Sequence, residues 1–312
     1  MRFHSSIIIP LLLFARQAQA DDRNTSDDPI VYIVLHYYPN KAAAIIFGIL
    51  YLTVGLITSW HVWRHRHWWG LYLPIGTLCM SLGYFLRFVM VLSYSLEDSI
   101  GMYIVQVIFI LCSPAAFLAF NYTLAGRVIV RCIGREFPLI RPERFAKVFI
   151  ISDLMTFNLQ SAGGSLAASK NSTVSKLGND IVLVGLVAQG ASYVFFLYVV
   201  LAAQYRYTRA KPVGARHQEE WWTVIWLLYF SSVPIIIRSV YRIAEFAQGS
   251  AGYFITHEVY FYCLDGLPLF FAVACYAARW PGRYVAETSS TSILLPDQAS
   301  GAESYPLSPR GD

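Results

Sequence analysis

Hydrophobic residues run through this sequence in long blocks rather than in short alternations. Seven mostly apolar blocks lie at roughly 41–61, 70–94, 101–126, 146–166, 180–203, 220–243 and 257–278. Each has the length of a helix that crosses a bilayer, about 18 residues or more with few charges. No remaining stretch is long enough to bury a second core. The pattern predicts an all-α fold, a polytopic membrane protein whose seven-transmembrane-helix bundle occupies residues 41–283.

The blocks are interrupted in a regular way. In PIIIRSVYRIAEF, residues 234–246, Arg238, Arg242 and Glu245 follow three isoleucines. At about 100° per residue these three side chains fall within roughly 60° of one another, one stripe on one helix face. Similar residues recur elsewhere: Arg87 in the second block, Gln106 and Asn121 in the third, Asp153 and Gln160 in the fourth, Gln189 in the fifth, Glu258 and Asp265 in the seventh. A charge at mid-bilayer costs about 3 kcal/mol on insertion scales, so such groups face the bundle interior or water. Three arginines stand against Asp153, Glu245, Glu258 and Asp265. We expect them to form a paired polar network around a cavity, the stripe at 238–245 meeting carboxylates on helices four and seven. Pairing offsets desolvation only when the hydrogen bonds are completed.

Composition agrees. Of 312 residues 56% are hydrophobic and 14% charged, with mean hydropathy +0.47, against about 25% charged in soluble proteins. The net charge of +5 sits in loops beside the helices and does not argue for nucleic acid. Five cysteines, Cys79, Cys112, Cys132, Cys263 and Cys275, show neither CxxC nor Cys/His metal spacing, so no metal, disulfide or cofactor is expected. His61 and His65, at i and i+4 in HVWRHRHWW, would suit a metal, but their tryptophan and arginine neighbours fit an interfacial anchor better. Absence of GxxxxGK[ST], HExxH and GxSxG argues against an enzyme. The seventh block has no lysine for a retinal Schiff base.

Orientation follows from the ends and loops. Residues 1–20 read as a signal peptide ending in Ala18-Gln19-Ala20, leaving 21–40 as an extracellular segment. Asn24 and Asn171 lie in glycosylation sequons. With the N-terminus outside, the cytosolic loops collect fourteen basic residues: Arg64, Arg66, Arg127, Arg131, Arg135, Arg141, Arg144, Lys147, Arg206, Arg209, Lys211, Arg216, Arg279 and Arg283. The other side holds Arg23, Lys41, Lys170 and Lys176. This is the positive-inside distribution for a cytosolic C-terminus. Residues 284–312, rich in Ser, Thr, Pro and Gly, are expected to be a disordered cytosolic tail.

Several segments together resemble the fungal lipid-translocating exporter family, the RTA-like proteins first recognised through 7-aminocholesterol resistance. They are YYPNKAAAIIF, GYFLR, CSPAAFLAFNYTLAGRVI, FIISDLMTFNLQSAGG, GLVAQ, RSVYRIAEFAQG and HEVYFYCLDGLP. The resemblance spans about residues 36–283. It implies a plasma-membrane transporter of amphipathic lipids or lipid-like toxic compounds, such as sphingoid long-chain bases and sterol-like amines. The family's polar motif positions fall here on Arg87, Asp153, Gln160, Gln189, Arg238, Arg242, Glu245, Glu258 and Asp265; we expect a substrate-binding or translocation role for them, with Asp153 or Asp265 pairing a cationic head group. Partners would be membrane lipids or amphipathic small molecules, and a regulatory protein at the cytosolic loops and tail. A receptor-like lipid or xenobiotic sensor, or an exporter of a secondary metabolite, would share these features. Two positions depart from the family pattern: Met80 replaces an acidic residue, and Trp280 opens a tail motif that usually reads His-Pro-Gly.

Overall fold

The structure is a computed structural model and describes residues 40–92, 100–130, 142–167, 172–210, 221–248 and 252–284. The expected signal peptide, the asparagines of both sequons and the tail after Tyr284 lie outside the described residues, as does Cys132. Among the described residues every regular element is helical. Seven long helices follow one another: α1 Lys41–His65, α2 Tyr72–Leu92, α3 Ile100–Val128, α4 Pro142–Ala167, α5 Ser172–Ala210, α6 Trp221–Ala247 and α7 Glu258–Ala278.

Six of these are long and apolar enough to cross a membrane. The exception is α4. Its length suffices, at 26 residues, but Lys147, Asp153, Asn158, Gln160 and a run of serines and glycines dilute its apolar content. By length and composition it is therefore not counted among the candidate spans, although it packs against α3 and α5. Each helix packs against the next in the chain, and α7 returns to α1, closing the ring. Inside the ring α3 also reaches α6.

Local chemistry sets the helix ends. Asn40 caps α1, its Oδ1 accepting from the N–H groups of Ala42 at 2.9 Å and Ala43 at 3.3 Å, two of the donors a helix start leaves unpaired. Arg66 ends α1 in the left-handed region, φ 52°, a conformation that glycine adopts more cheaply. Residues Phe261–Gly266 of α7 form a π-helical stretch, a widened turn that often marks functional sites.

The bundle is apolar outside and partly polar inside. Along α6, Trp226, Phe230, Val233, Ile237 and Val240 are all more than half exposed except Ile237, at 45%. These side chains recur at helical spacing, and Arg238, Arg242 and Glu245 lie roughly 120° further round the same helix. A lipid-facing stripe and an inward stripe thus share one helix. Glycines set helix spacing at two joins: Gly55 of α1 abuts Thr77 and Leu78 of α2, and Gly163 of α4 abuts the Gly178 carbonyl of α5. Gly164 has open space around it and serves no such close approach.

Candidate functional site

The inward stripe of α6 meets α7 at Asp265, which is wholly buried within the π-helical stretch. Arg242 approaches it side-on with two hydrogen bonds, Nε to Oδ1 at 3.0 Å and a terminal nitrogen to Oδ2 at 2.9 Å. This is the two-pronged geometry that makes arginine–carboxylate pairs strong. The remaining terminal nitrogen of Arg242 donates to Glu245 Oε2 at 3.1 Å, and the Tyr241 hydroxyl lies 3.4 Å from Oε1. Arg238 Nε forms a second ion pair with Asp265 Oδ1 at 2.8 Å. Its N–H is not aligned for a hydrogen bond to that oxygen. Arg242 and Glu245 are therefore interior groups and do not reach out to the lipid head groups.

A second pair ties in α1 and α2. Arg87 is buried and lies 3.3 Å from Glu258, while Glu258 Oε2 accepts the backbone N–H of Asn40 at 2.8 Å. Phe261 stands between the two pairs, its ring 5.0 Å from the Arg87 guanidinium and 5.9 Å from that of Arg242. Tyr51 of α1 donates to the Gly266 carbonyl at 2.7 Å. Arg87, Arg238 and Arg242 thus face Glu245, Glu258 and Asp265, with formal charges in balance. Met80, where the family pattern has an acid, is fully buried, and Arg87 has Glu258 as its partner instead.

Asp153 does not join this cluster. It is buried on α4, and its Oδ2 accepts the Tyr122 hydroxyl of α3 at 2.7 Å. Among the described residues it has no cationic partner, so the expected ion pair between helices four and six is replaced by a tyrosine–carboxyl hydrogen bond. Gln160 and Gln189 meet each other across α4 and α5 at 3.0 Å. Gly185 makes room for this, since a Cβ there would meet Gln160 Cγ at 2.7 Å.

One network escaped the sequence reading. Tyr276 of α7 donates to Asn121 Oδ1 at 2.8 Å, Asn121 donates to the Tyr193 hydroxyl at 3.0 Å, and Tyr193 donates to Ser232 Oγ at 2.9 Å. Four helices, α7, α3, α5 and α6, are joined by neutral groups about 9 Å along α6 from Arg238. Asn121 alone carried a signal; three hydroxyls among 21 tyrosines and many serines do not stand out.

Between this network and the ionic cluster lies a cavity of about 20 Å³, room for one water molecule. Gln189 and Tyr193 of α5, and Arg238, Ser239 and Arg242 of α6, contribute its polar wall; Pro114, Leu118 and Leu269 are among its apolar residues. At the far end of α1, His61 stacks on Trp280 (5.8 Å, 8° between planes) and His65 on His67 (5.8 Å, 9°). Trp280 Nε1 donates to His67 Nδ1 at 3.2 Å. These histidines belong to an aromatic stack, and no metal-holding cluster occurs among the described residues.

The chain is similar to several yeast proteins. It is 31% identical to Protein RTM1 of Saccharomyces cerevisiae over 212 residues, 66% of either chain. It is 27% identical to Protoporphyrin uptake protein 1 of the same organism, over 79% of this chain and 91% of that one. Identity to the Saccharomyces cerevisiae Sphingoid long-chain base transporter RSB1 is 23%, over 82% of this chain and 74% of the relative. No solved structure matches the chain. The profile of the family described as RTA1 like protein matches residues 73–288, which hold all the ionic and hydrogen-bonded groups of the site apart from Asn40 and Tyr51. This chain, an all-helical multi-pass membrane protein, belongs to the RTA1-like family.

Proposed function

We propose that the protein moves an amphipathic lipid, or a lipid-like toxic compound, outward across the plasma membrane. In this reading all seven long helices span the bilayer, with the N-terminus outside and the C-terminus cytosolic. The observation that carries it is the inward ionic junction of Arg238, Arg242, Glu245 and Asp265 beside a cavity, inside a bundle whose outer face is apolar. A polar interior of this kind lowers the several kcal/mol that a head group meets in hydrocarbon, while the tail stays in lipid. The names of relatives support a lipid-related cargo: one is a sphingoid long-chain base transporter, another a protoporphyrin uptake protein.

The test is reconstitution of purified protein into liposomes loaded with fluorescent long-chain base or a fluorescent phospholipid. The reading expects protein-dependent appearance of the probe in the opposite leaflet, and no such movement with any amphiphile would refute it. For orientation, a glycosidase should shift the mobility of wild-type protein, and of neither Asn24→Gln nor Asn171→Gln alone by the full amount.

A lipid sensor acting on a regulatory protein through the cytosolic loops is the second reading. It is favoured by the small cavity and by the four-helix network beneath it, which together describe a closed site. Tight binding without transbilayer movement would select it.

A further inference from the structure

The charges around the cavity are balanced, yet they are not evenly presented to it. Arg238 and Arg242 line the cavity, whereas Asp265 and Glu245 are absent from its lining. Asp265 lies fully buried behind the two guanidinium groups with both oxygens already occupied. Arg242 has all its nitrogens engaged. Arg238 differs, since its one ionic contact is through Nε and no described residue accepts from its terminal nitrogens. Gln189 adds a second donor, because its Oε1 is taken by Gln160 and its amide nitrogen is left over. Ser239 directs its hydroxyl to the Ile235 carbonyl at 2.9 Å, and the Tyr193 hydroxyl serves Ser232.

The unspent N–H donors of the wall are thus those of Arg238, a permanent cation, and Gln189, and no carboxylate faces the cavity beside them. An ammonium head group would find only hydroxyl and amide lone pairs there and would stand beside the like charges of Arg238 and Arg242. A carboxylate or a phosphate ester offers acceptor oxygens in the spacing that a guanidinium fork matches. We propose that this cavity is a subsite for the anionic head of an amphiphile, with Arg238 and Gln189 as its donors. The present volume of about 20 Å³ admits only a water molecule, so a head group enters as α5 and α6 move apart. The inference deepens the translocation reading by giving its cargo an anionic head, while binding itself can be measured without any movement.

The experiment uses full-length purified protein in detergent and four probes with one tail: hexadecanoate, hexadecyl phosphate, hexadecanol and hexadecylamine. Dissociation constants are measured by titration calorimetry. The anionic probes should bind at least about tenfold tighter than the alcohol or the amine, and their ratio tells which oxyanion fits better. Arg238→Gln should erase the preference while leaving the Arg242–Asp265 pair in place, and Arg238→Lys should restore part of it. Gln189→Leu provides an independent variant and should weaken the anions severalfold without strengthening the amine. Equal or tighter binding of hexadecylamine overturns the proposal, as does an unchanged preference in folded Arg238→Gln. Anions bound, with neither these nor any other amphiphile moved in liposomes, would leave this subsite standing and remove the translocation reading. An amine moved by protein that does not prefer the anions would do the reverse.

Discussion

Two polar regions share the interior of this bundle and are built on opposite principles. The junction between α6 and α7 uses full charges, with two guanidinium groups on one buried carboxylate. The chain from Tyr276 through Asn121 and Tyr193 to Ser232 crosses four helices with neutral groups alone. A neutral network is the cheaper way to bind helices together in an apolar medium, since no ion has to be stripped of water. Burying a comparable set of ions about 9 Å further along α6 makes little sense as glue. The difference suits the proposed function: the hydroxyl–amide chain would hold the helices together, and the charges would serve the cargo.

Substitutions at the two regions should separate these roles. The largest effect is expected from Asp265→Asn, which leaves Arg238 and Arg242 buried without their shared carboxylate. Breaking one side of a buried pair costs about 3–5 kcal/mol, so folded yield and the thermal midpoint in detergent should fall steeply. Next comes Tyr193→Phe, which removes the acceptor of the Asn121 amide N–H and one of the two hydrogen bonds of Ser232 Oγ, and should cost about 1–2 kcal/mol in the same assay. If it equals Asp265→Asn, the two regions are not distinct in kind. The smallest effect is expected at Gln160→Leu, which removes a single interhelical bond worth about 0.6 kcal/mol in membrane proteins. Thermal midpoints close to wild type would check it.

The helical period alone exposed the stripe of Arg238, Arg242 and Glu245, because an inward and an outward face differ in polarity once the solvent is lipid. Glu258 and Asp265, seven residues apart in the sequence, fall on one side of a regular helix by the same period. Pairing was another matter. Asp153 has the same charge as Asp265 and lies within a similar run, and only packing decides that it meets Tyr122 of α3 rather than an arginine. Gln160 and Gln189 were visible as polar residues in apolar helices, though their contact depends on the space left at Gly185. The aromatic hydroxyls of Tyr122, Tyr193 and Tyr276 were hidden because tyrosine packs equally well as an apolar ring. Hydropathy, finally, could not settle α4, whose interior-facing polar residues lower its apolar content.

Replacing the whole junction by apolar or neutral residues of similar size tests the division of labour most directly: Arg238→Leu, Arg242→Met, Glu245→Gln and Asp265→Leu in one protein. Removing a buried ion cluster as a unit is often neutral or stabilising, so the variant should fold with a thermal midpoint near wild type and lose transbilayer movement of its lipid probe in liposomes. A folded variant that moves the probe at the wild-type rate would contradict the account.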